Sequence, residues 1–153
     1  RMARTYGVEN YFVTTPYNDQ RLLVKELLEH WKTGHGATYN PARKEALSIV
    51  SLCETVDEVI GRLIEQYGKR PLVVTTSAHK QDNMIPYGEL RETINQHEPV
   101  LLLFGTAHGL SPEVMQNADG TLPPIAGRTT YNHLSVRSAA SVIIDRLLGS
   151  REE

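Results

Sequence analysis

The sequence predicts an α/β protein with a mostly parallel sheet flanked by helices. Three observations lead there. Apolar runs of strand length alternate with segments whose apolar residues recur at intervals of three and four. One run, Val100, Leu101, Leu102, Leu103 and Phe104, is apolar throughout, as a strand covered on both faces of a parallel sheet must be. Several strand-like runs end in small, turn-forming residues, and in such sheets the loops at the carboxyl ends of strands carry the ligands.

Taken in order, residues 1–8 read as the last turns of a helix closed by Gly7. Position 1 is not methionine, so an upstream strand and the start of this helix are expected to be missing from the given chain. Residues 11–15 form a strand of aromatic and β-branched residues stopped by Pro16. Asn18 or Asp19 caps a helix with Leu22, Leu23, Leu27, Leu28 and Trp31 as its buried stripe, ending at Gly34. This stripe is expected to be core and not a partner groove. Residues 34–41 read as a polar, glycine-rich loop, after which Asn40 and Pro41 start a short helix bearing Arg43 and Lys44. Residues 47–53 read as a strand. Thr55 and Glu58 form a capping box for a helix with Val56, Val59, Ile60, Leu63, Ile64 and Tyr67 inward, closed by Gly68. A strand over 72–76, a helix over 86–96 and the strand at 100–104 complete the alternation. Ser111, Pro112 and Glu113 then supply a hydroxyl cap, a proline in the first turn and an acid beside it.

At 153 residues the chain is long enough for one domain with a real core. Its 40% hydrophobic and 22% charged content is ordinary for a soluble protein. No apolar run reaches the ~18 residues of a membrane span, and neither a signal peptide nor a basic transit segment is visible. A cytoplasmic protein without a membrane partner is the expectation. The single cysteine, Cys53, lies in an apolar stretch and reads as a buried structural thiol. His30 and His35 fall at a helix end and in a glycine loop, a spacing unsuited to zinc, and no metal is expected. G-x-G at 34–36 follows a helix and not a strand, so the dinucleotide fingerprint fails; Walker and G-x-S-x-G motifs are absent. A net charge of −2 gives no general basic coat for nucleic acid, so an RNA ligand would need a local patch, a dimer groove or a partner domain.

The stretch 100–149 organises the rest. Its apolar strand breaks at Gly105, Thr106, Ala107, His108, Gly109 and Leu110, where the two glycines permit a sharp turn and a close backbone approach. Leu122 to Gly127 reads L-P-P-I-A-G. Residues 131–140, Y-N-H-L-S-V-R-S-A-A, open a helix with apolar Val136, Ala139, Ala140, Ile143, Ile144, Leu147 and Leu148, ending at Gly149. Thr76 and Ser77, Gly105 to Gly109, and Ile125, Ala126 and Gly127 all lie at or after strand ends. One such loop alone reads as a tight turn. Three together read as a cradle in which N–H and C=O groups bind a cofactor and apolar residues cover its ring. His108 reads as a phosphate or substrate contact, or as an exposed loop histidine. Arg128 and Arg137 read as phosphate contacts, or as surface or dimer salt bridges.

F-G-T-A-H-G-L-S-P-E after a strand, a P-P-I-A-G loop, then Y-N-H-L-S-V-R-S-A-A leading into a helix resemble the SPOUT, or α/β-knot, methyltransferases. Over its whole length the chain resembles a bacterial RNA methyltransferase family sometimes fused to the tRNA guanine-N1 methyltransferase. The resemblance implies a single α/β-knot methyltransferase domain across 1–153, with a C-terminal deep trefoil knot that periodicity cannot reveal. It implies S-adenosylmethionine as cofactor, tRNA or rRNA as substrate, and a two-fold homodimer with the final helix at or near the interface. The implied cofactor contacts are Thr76, Ser77, Gly105, Thr106, His108, Gly109, Ile125, Ala126, Gly127, Leu134, Ser138 and Ala139. Where relatives carry an asparagine before the final helix, this sequence has His133, with Asn132 one place early; both, with Arg137, are the catalytic candidates. Arg1 joins them because R-M-A-R-T-Y-G is similar to the R-x-A-x-x-F-G pattern of the 2′-O-ribose methylating branch. A catalytically weak cofactor- or RNA-binding accessory module of a tRNA-modifying enzyme is the alternative. The chain as given is expected to bind the cofactor but to methylate RNA poorly on its own.

Overall fold

Every strand pairing between the chain's named strands is parallel, as apolar strands separated by helices require. The structure, a computed structural model, describes residues 1–150; the last three residues of the expected domain, 151–153, lie outside the described residues. The chain divides into two units, Arg1–Gly68 and Lys69–Glu153, each with its own sheet.

The first unit contains α1 (Met2–Thr5), β1 (Tyr11–Thr14), α2 (Asn18–Lys32), α3 (His35–Tyr39), α4 (Pro41–Leu47), β2 (Val50–Cys53) and α5 (Val56–Tyr67). β1 and β2 pair from Tyr11 opposite Val50 to Thr14 opposite Cys53. The cap signals work as expected at α4 and α5. The Asn40 side chain accepts the Arg43 N–H at 3.0 Å, and the Thr55 hydroxyl accepts the Glu58 N–H at 3.1 Å. Glu58 reaches back to the Glu54 N–H, one residue before the cap, at 2.7 Å. That bond, aided by Arg62, holds the Glu58 carboxyl below its ordinary range against the opposing pull of desolvation. Gly68 closes α5 in the left-handed conformation. Cys53 is buried, and burial pushes its thiol up, although Arg62 opposes this.

Several expectations about this unit change, and on α5 Ile64 and Tyr67, expected inward, are exposed. The cap of α2 is Tyr17, with no side-chain cap bond, in place of Asn18 or Asp19. The expected loop at 34–41 contains a helix, because Gly36 lies under the Trp31 and His30 rings: a Cβ there would sit 2.6 Å from the Trp31 ring. Leu47 ends α4 instead of opening β2. Most importantly, Leu22, Leu23 and Leu27 are exposed, and α2 has no buried residue at all. The helix turns Val24, Leu28 and Trp31 partly inward instead. Its neighbours α3, α4 and β2 cover only that narrow face, and the Arg43 guanidinium lies 4.2 Å over the Trp31 ring.

The second unit contains β3 (Leu72–Thr75), α6 (Tyr87–Asn95), β4 (Val100–Leu103), α7 (Pro112–Asn117), β5 (Gly120–Thr121) and α8 (Val136–Leu148). Its strand order is β4-β3-β5. Val74, Leu90, Leu122, Ile143 and Leu147 form the core, with Phe104 and Ile125 packed against it. β5, only two residues long, is too short to give a sequence period and was not expected. It is built by its surroundings: Leu122 N–H donates to Thr75 O, Ile85 N–H to Thr121 O, and Thr121 N–H to Asn83 O. The buried Thr75 and Thr121 hydroxyls meet at 2.7 Å. Ser111 caps α7 and Ser135 caps α8. Of the apolar positions on α8, Ile143, Ile144 and Leu147 are buried, whereas Val136 at its start is exposed. No helix among the described residues is long and apolar enough to cross a membrane.

Candidate functional site

Because β4, β3 and β5 are adjacent and parallel, the segments that follow them leave the sheet at the same end. These are residues 76–79, 104–110 and 122–127. Thr76 donates its hydroxyl to the Leu103 carbonyl at 2.9 Å, tying the end of β3 to the end of β4. Ser77 accepts the His79 N–H at 3.0 Å. The 105–109 turn closes on itself. Gly109 has a φ of +77°, its N–H donates to Thr106 O at 2.9 Å, and a Cβ on Gly105 would lie 2.3 Å from the Gly109 carbonyl carbon. Both glycines are therefore required by geometry. Thr106 and His108 are exposed on this turn.

The third loop is held from beneath. Ile125 is half-buried against the core, and Tyr87 donates its hydroxyl to Pro123 O at 3.4 Å. Burial pushes the Tyr87 phenol above its ordinary range despite the Arg146 guanidinium 5.3 Å from its ring. The phenol therefore stays a neutral donor at physiological pH. Ala126 and Gly127 are exposed beyond this anchor.

Asn132 joins the group directly, since its side-chain N–H₂ donates to Ala78 O at 3.1 Å. That bond pins the segment before α8 to the loop after β3. His133 is exposed beside it, with its ring 4.9 Å from that of Tyr131 in an edge-on arrangement. Leu134 is 48% exposed. The first turn of α8 carries Arg137, exposed, then Ser138, whose hydroxyl lies 3.0 Å from that of Ser135, and half-buried Ala139. Arg1 belongs to the other unit, where it precedes α1 and lines a shallow depression with Arg4, Thr5, Ala42, Glu45 and Ala46.

Sequence reasoning did not find the parts that fasten this end together: the Ala78 carbonyl, Tyr87 and β5. A backbone carbonyl leaves no trace in residue type, and Tyr87 looked like one more helical residue. No atom lies within 4 Å of where a Cβ would stand on Gly109 or Gly127, so room remains beside two of the loops. Small side chains, free space and a fixed backbone suit a bound nucleoside with an amino-acid tail.

Residues 1–149 match the family described as SAM-dependent RNA methyltransferase. The chain belongs to this family. Members of this family depend on S-adenosylmethionine. The chain is 46% identical over 149 residues to a tRNA (guanine-N(1)-)-methyltransferase from Oleidesulfovibrio alaskensis, a stretch covering 97% of this chain and 35% of that protein. It therefore spans about a third of the length of that relative. It is 38% identical over 148 residues to an uncharacterized protein from Aquifex aeolicus, covering 96% of this chain and 72% of the relative. Among solved structures, the SpoU methyltransferase AviRb from Streptomyces viridochromogenes, in complex with the cofactor AdoMet, superposes with a TM-score of 0.60 at 19% identity. That match covers 97% of this chain and 49% of AviRb, and it supports a shared α/β fold of parallel sheet and flanking helices.

Proposed function

We propose that this chain transfers the methyl group of S-adenosylmethionine to RNA, with tRNA or rRNA as the substrate class. The observation that carries the reading is the set of three small-residue loops on adjacent parallel strands, in a chain of this family. The relative from Oleidesulfovibrio alaskensis, named for tRNA methylation, supports tRNA as the first substrate to try. We further propose that both units act as one methyltransferase domain, since the family match crosses them. A C-terminal deep trefoil knot, a two-fold homodimer with α8 at or near the interface, and a cytoplasmic location complete the proposal, all on the strength of the family.

When bound, S-adenosylmethionine supplies an electrophilic methyl on a sulfonium. The chain's own groups then have four tasks. Thr76, Ser77, Gly105, Thr106, His108, Gly109 and Ser138 would bind through main-chain and hydroxyl groups, while Ile125, Ala126, Gly127, Leu134 and Ala139 would cover the apolar parts. Asn132, through its bond to Ala78, would orient the 131–135 segment. His133 would take the proton released by the RNA nucleophile on an imidazole nitrogen. Arg137 would hold a phosphate and thus position the substrate. Arg1 is proposed on its sequence motif alone.

Calorimetry with S-adenosylmethionine tests the reading. The wild-type chain should bind, and Gly109→Val should not, because any side chain at a φ of +77° is strained and valine would fill the space beside the turn. Equal affinity in a folded Gly109→Val variant would remove these loops from the cofactor site.

A further inference from the structure

The net charge of −2 conceals an uneven distribution. At the amino ends of the three-stranded sheet the cations are neutralised: Lys69 pairs with Glu98, and Arg70 with Asp119 at 2.8 Å. Asp119 also accepts the Val73 N–H at 2.7 Å. At the carboxyl ends the pattern reverses. No acidic residue occurs between Asp119 and Asp145, a stretch that includes Arg128 and Arg137, and none occurs among residues 76–81, which include Lys80. All three cations are exposed, and none has an ion-pair partner among the described residues. Asp82 and Glu113 lie further along the segments that follow β3 and β4, and on the acid-free stretch between Asp119 and Asp145 stands Tyr131, 76% exposed, with the His133 ring edge-on to its own.

An exposed aromatic ring with unpaired cations on its own segment, and on the loop that Asn132 ties to that segment, suits single-stranded nucleic acid. Bases stack on the ring while guanidinium and ammonium groups track the phosphates. A base inside a duplex has no free face to offer, and A-form RNA hides its base edges in a deep, narrow groove. We propose that residues 128–137, together with Lys80, form the RNA-gripping surface, with Tyr131 stacking on an unpaired base and Arg128, Arg137 and Lys80 holding the neighbouring phosphates. The inference rests on the proposed RNA methylation and narrows its substrate to a loop, bulge or other unpaired stretch.

Fluorescence anisotropy with the full chain tests it, using a short labelled single-stranded RNA of mixed sequence and the same strand in a blunt duplex. The single strand should bind more tightly. Tyr131→Ala should weaken that binding about 5- to 150-fold, and Tyr131→Phe, which keeps the ring, should restore it. Arg128→Gln and Lys80→Gln should each lower the salt slope of log K by about 0.7, whereas Lys69→Gln, at the other end of the sheet, should leave it unchanged. Wild-type affinity in Tyr131→Ala, or tighter binding of the duplex, would overturn the proposal. So would a dimer-to-monomer shift of Tyr131→Ala by light scattering, which would assign the ring to a second copy of the chain. S-adenosylmethionine affinity should be unchanged in Tyr131→Ala. If the wild-type chain binds no S-adenosylmethionine while Tyr131→Ala still loses RNA, the catalytic reading fails and the RNA surface stands.

Discussion

In the unit Lys69–Glu153, Val74, Leu90, Leu122, Ile143 and Leu147 are each 4% exposed or less, whereas α2, a 15-residue helix of the other unit, has no buried residue. The contrast follows from strand count. β3 has a strand on each side, so its side chains are enclosed within the sheet and covered by α6 and α8. β1 and β2 are each an edge, and a two-stranded sheet offers too little surface to cover both the α2 stripe and its neighbours. The candidate cofactor loops all spring from the enclosed sheet, where the backbone beneath them cannot shift easily. Precise positioning at the carboxyl ends is thus inherited from the core below.

Four measurements break or sharpen this comparison, beginning with the largest effect. His133→Ala removes a group held beside the rigid loops, and it should lower the methyl-transfer rate about 10²- to 10⁴-fold with cofactor affinity intact. Single-turnover assays with radiolabelled donor would measure this, and full activity would remove His133 from the chemistry. Leu90→Ala, at 0% exposure in the enclosed core, should cost about 2–5 kcal/mol in urea unfolding. A loss near zero would mean that this core is looser than its burial implies.

The third measurement concerns pH. Burial pushes the Asp119 carboxyl up, but the Val73 N–H and the Arg70 guanidinium outweigh it and hold it below the ordinary aspartate value. Its contribution is therefore fully present above that value and is lost as pH falls through the lower folded one. Asp119→Asn should flatten the acid limb of melting temperature against pH. Glu58→Gln should flatten it as well, because the Glu54 N–H and Arg62 hold the Glu58 carboxyl below its ordinary range, and both side chains are exposed enough for water to screen their ion pairs. An acid limb unchanged in both variants would show that neither carboxylate is held by its partners in solution. The smallest effect belongs to α2, where Leu23→Ser should change stability by no more than about 0.5 kcal/mol. A larger loss would mean that this face is covered in solution.

Much of this protein was legible in its residues. Parallel strands separated by helices, the Asn40, Thr55, Ser111 and Ser135 caps, and the glycine turn after β4 depend on local chemistry: apolar period, a hydroxyl or amide before a helix, a residue without Cβ. The loops proposed to bind cofactor were readable for the same reason, because strand ends and small residues are local signals. Tertiary structure decided what locality cannot carry. β5 exists because Asn83, Ile85 and Thr75 supply its hydrogen bonds from elsewhere in the chain. Residues 35–39 are helical because Gly36 fits under Trp31. Leu22, Leu23 and Leu27 have the spacing of a core stripe, yet burial depends on what a helix meets and not on its own period. That Lys80, Arg128 and Arg137 have no ion-pair partner among the described residues, while Lys69 and Arg70 do, is likewise decided by the tertiary structure.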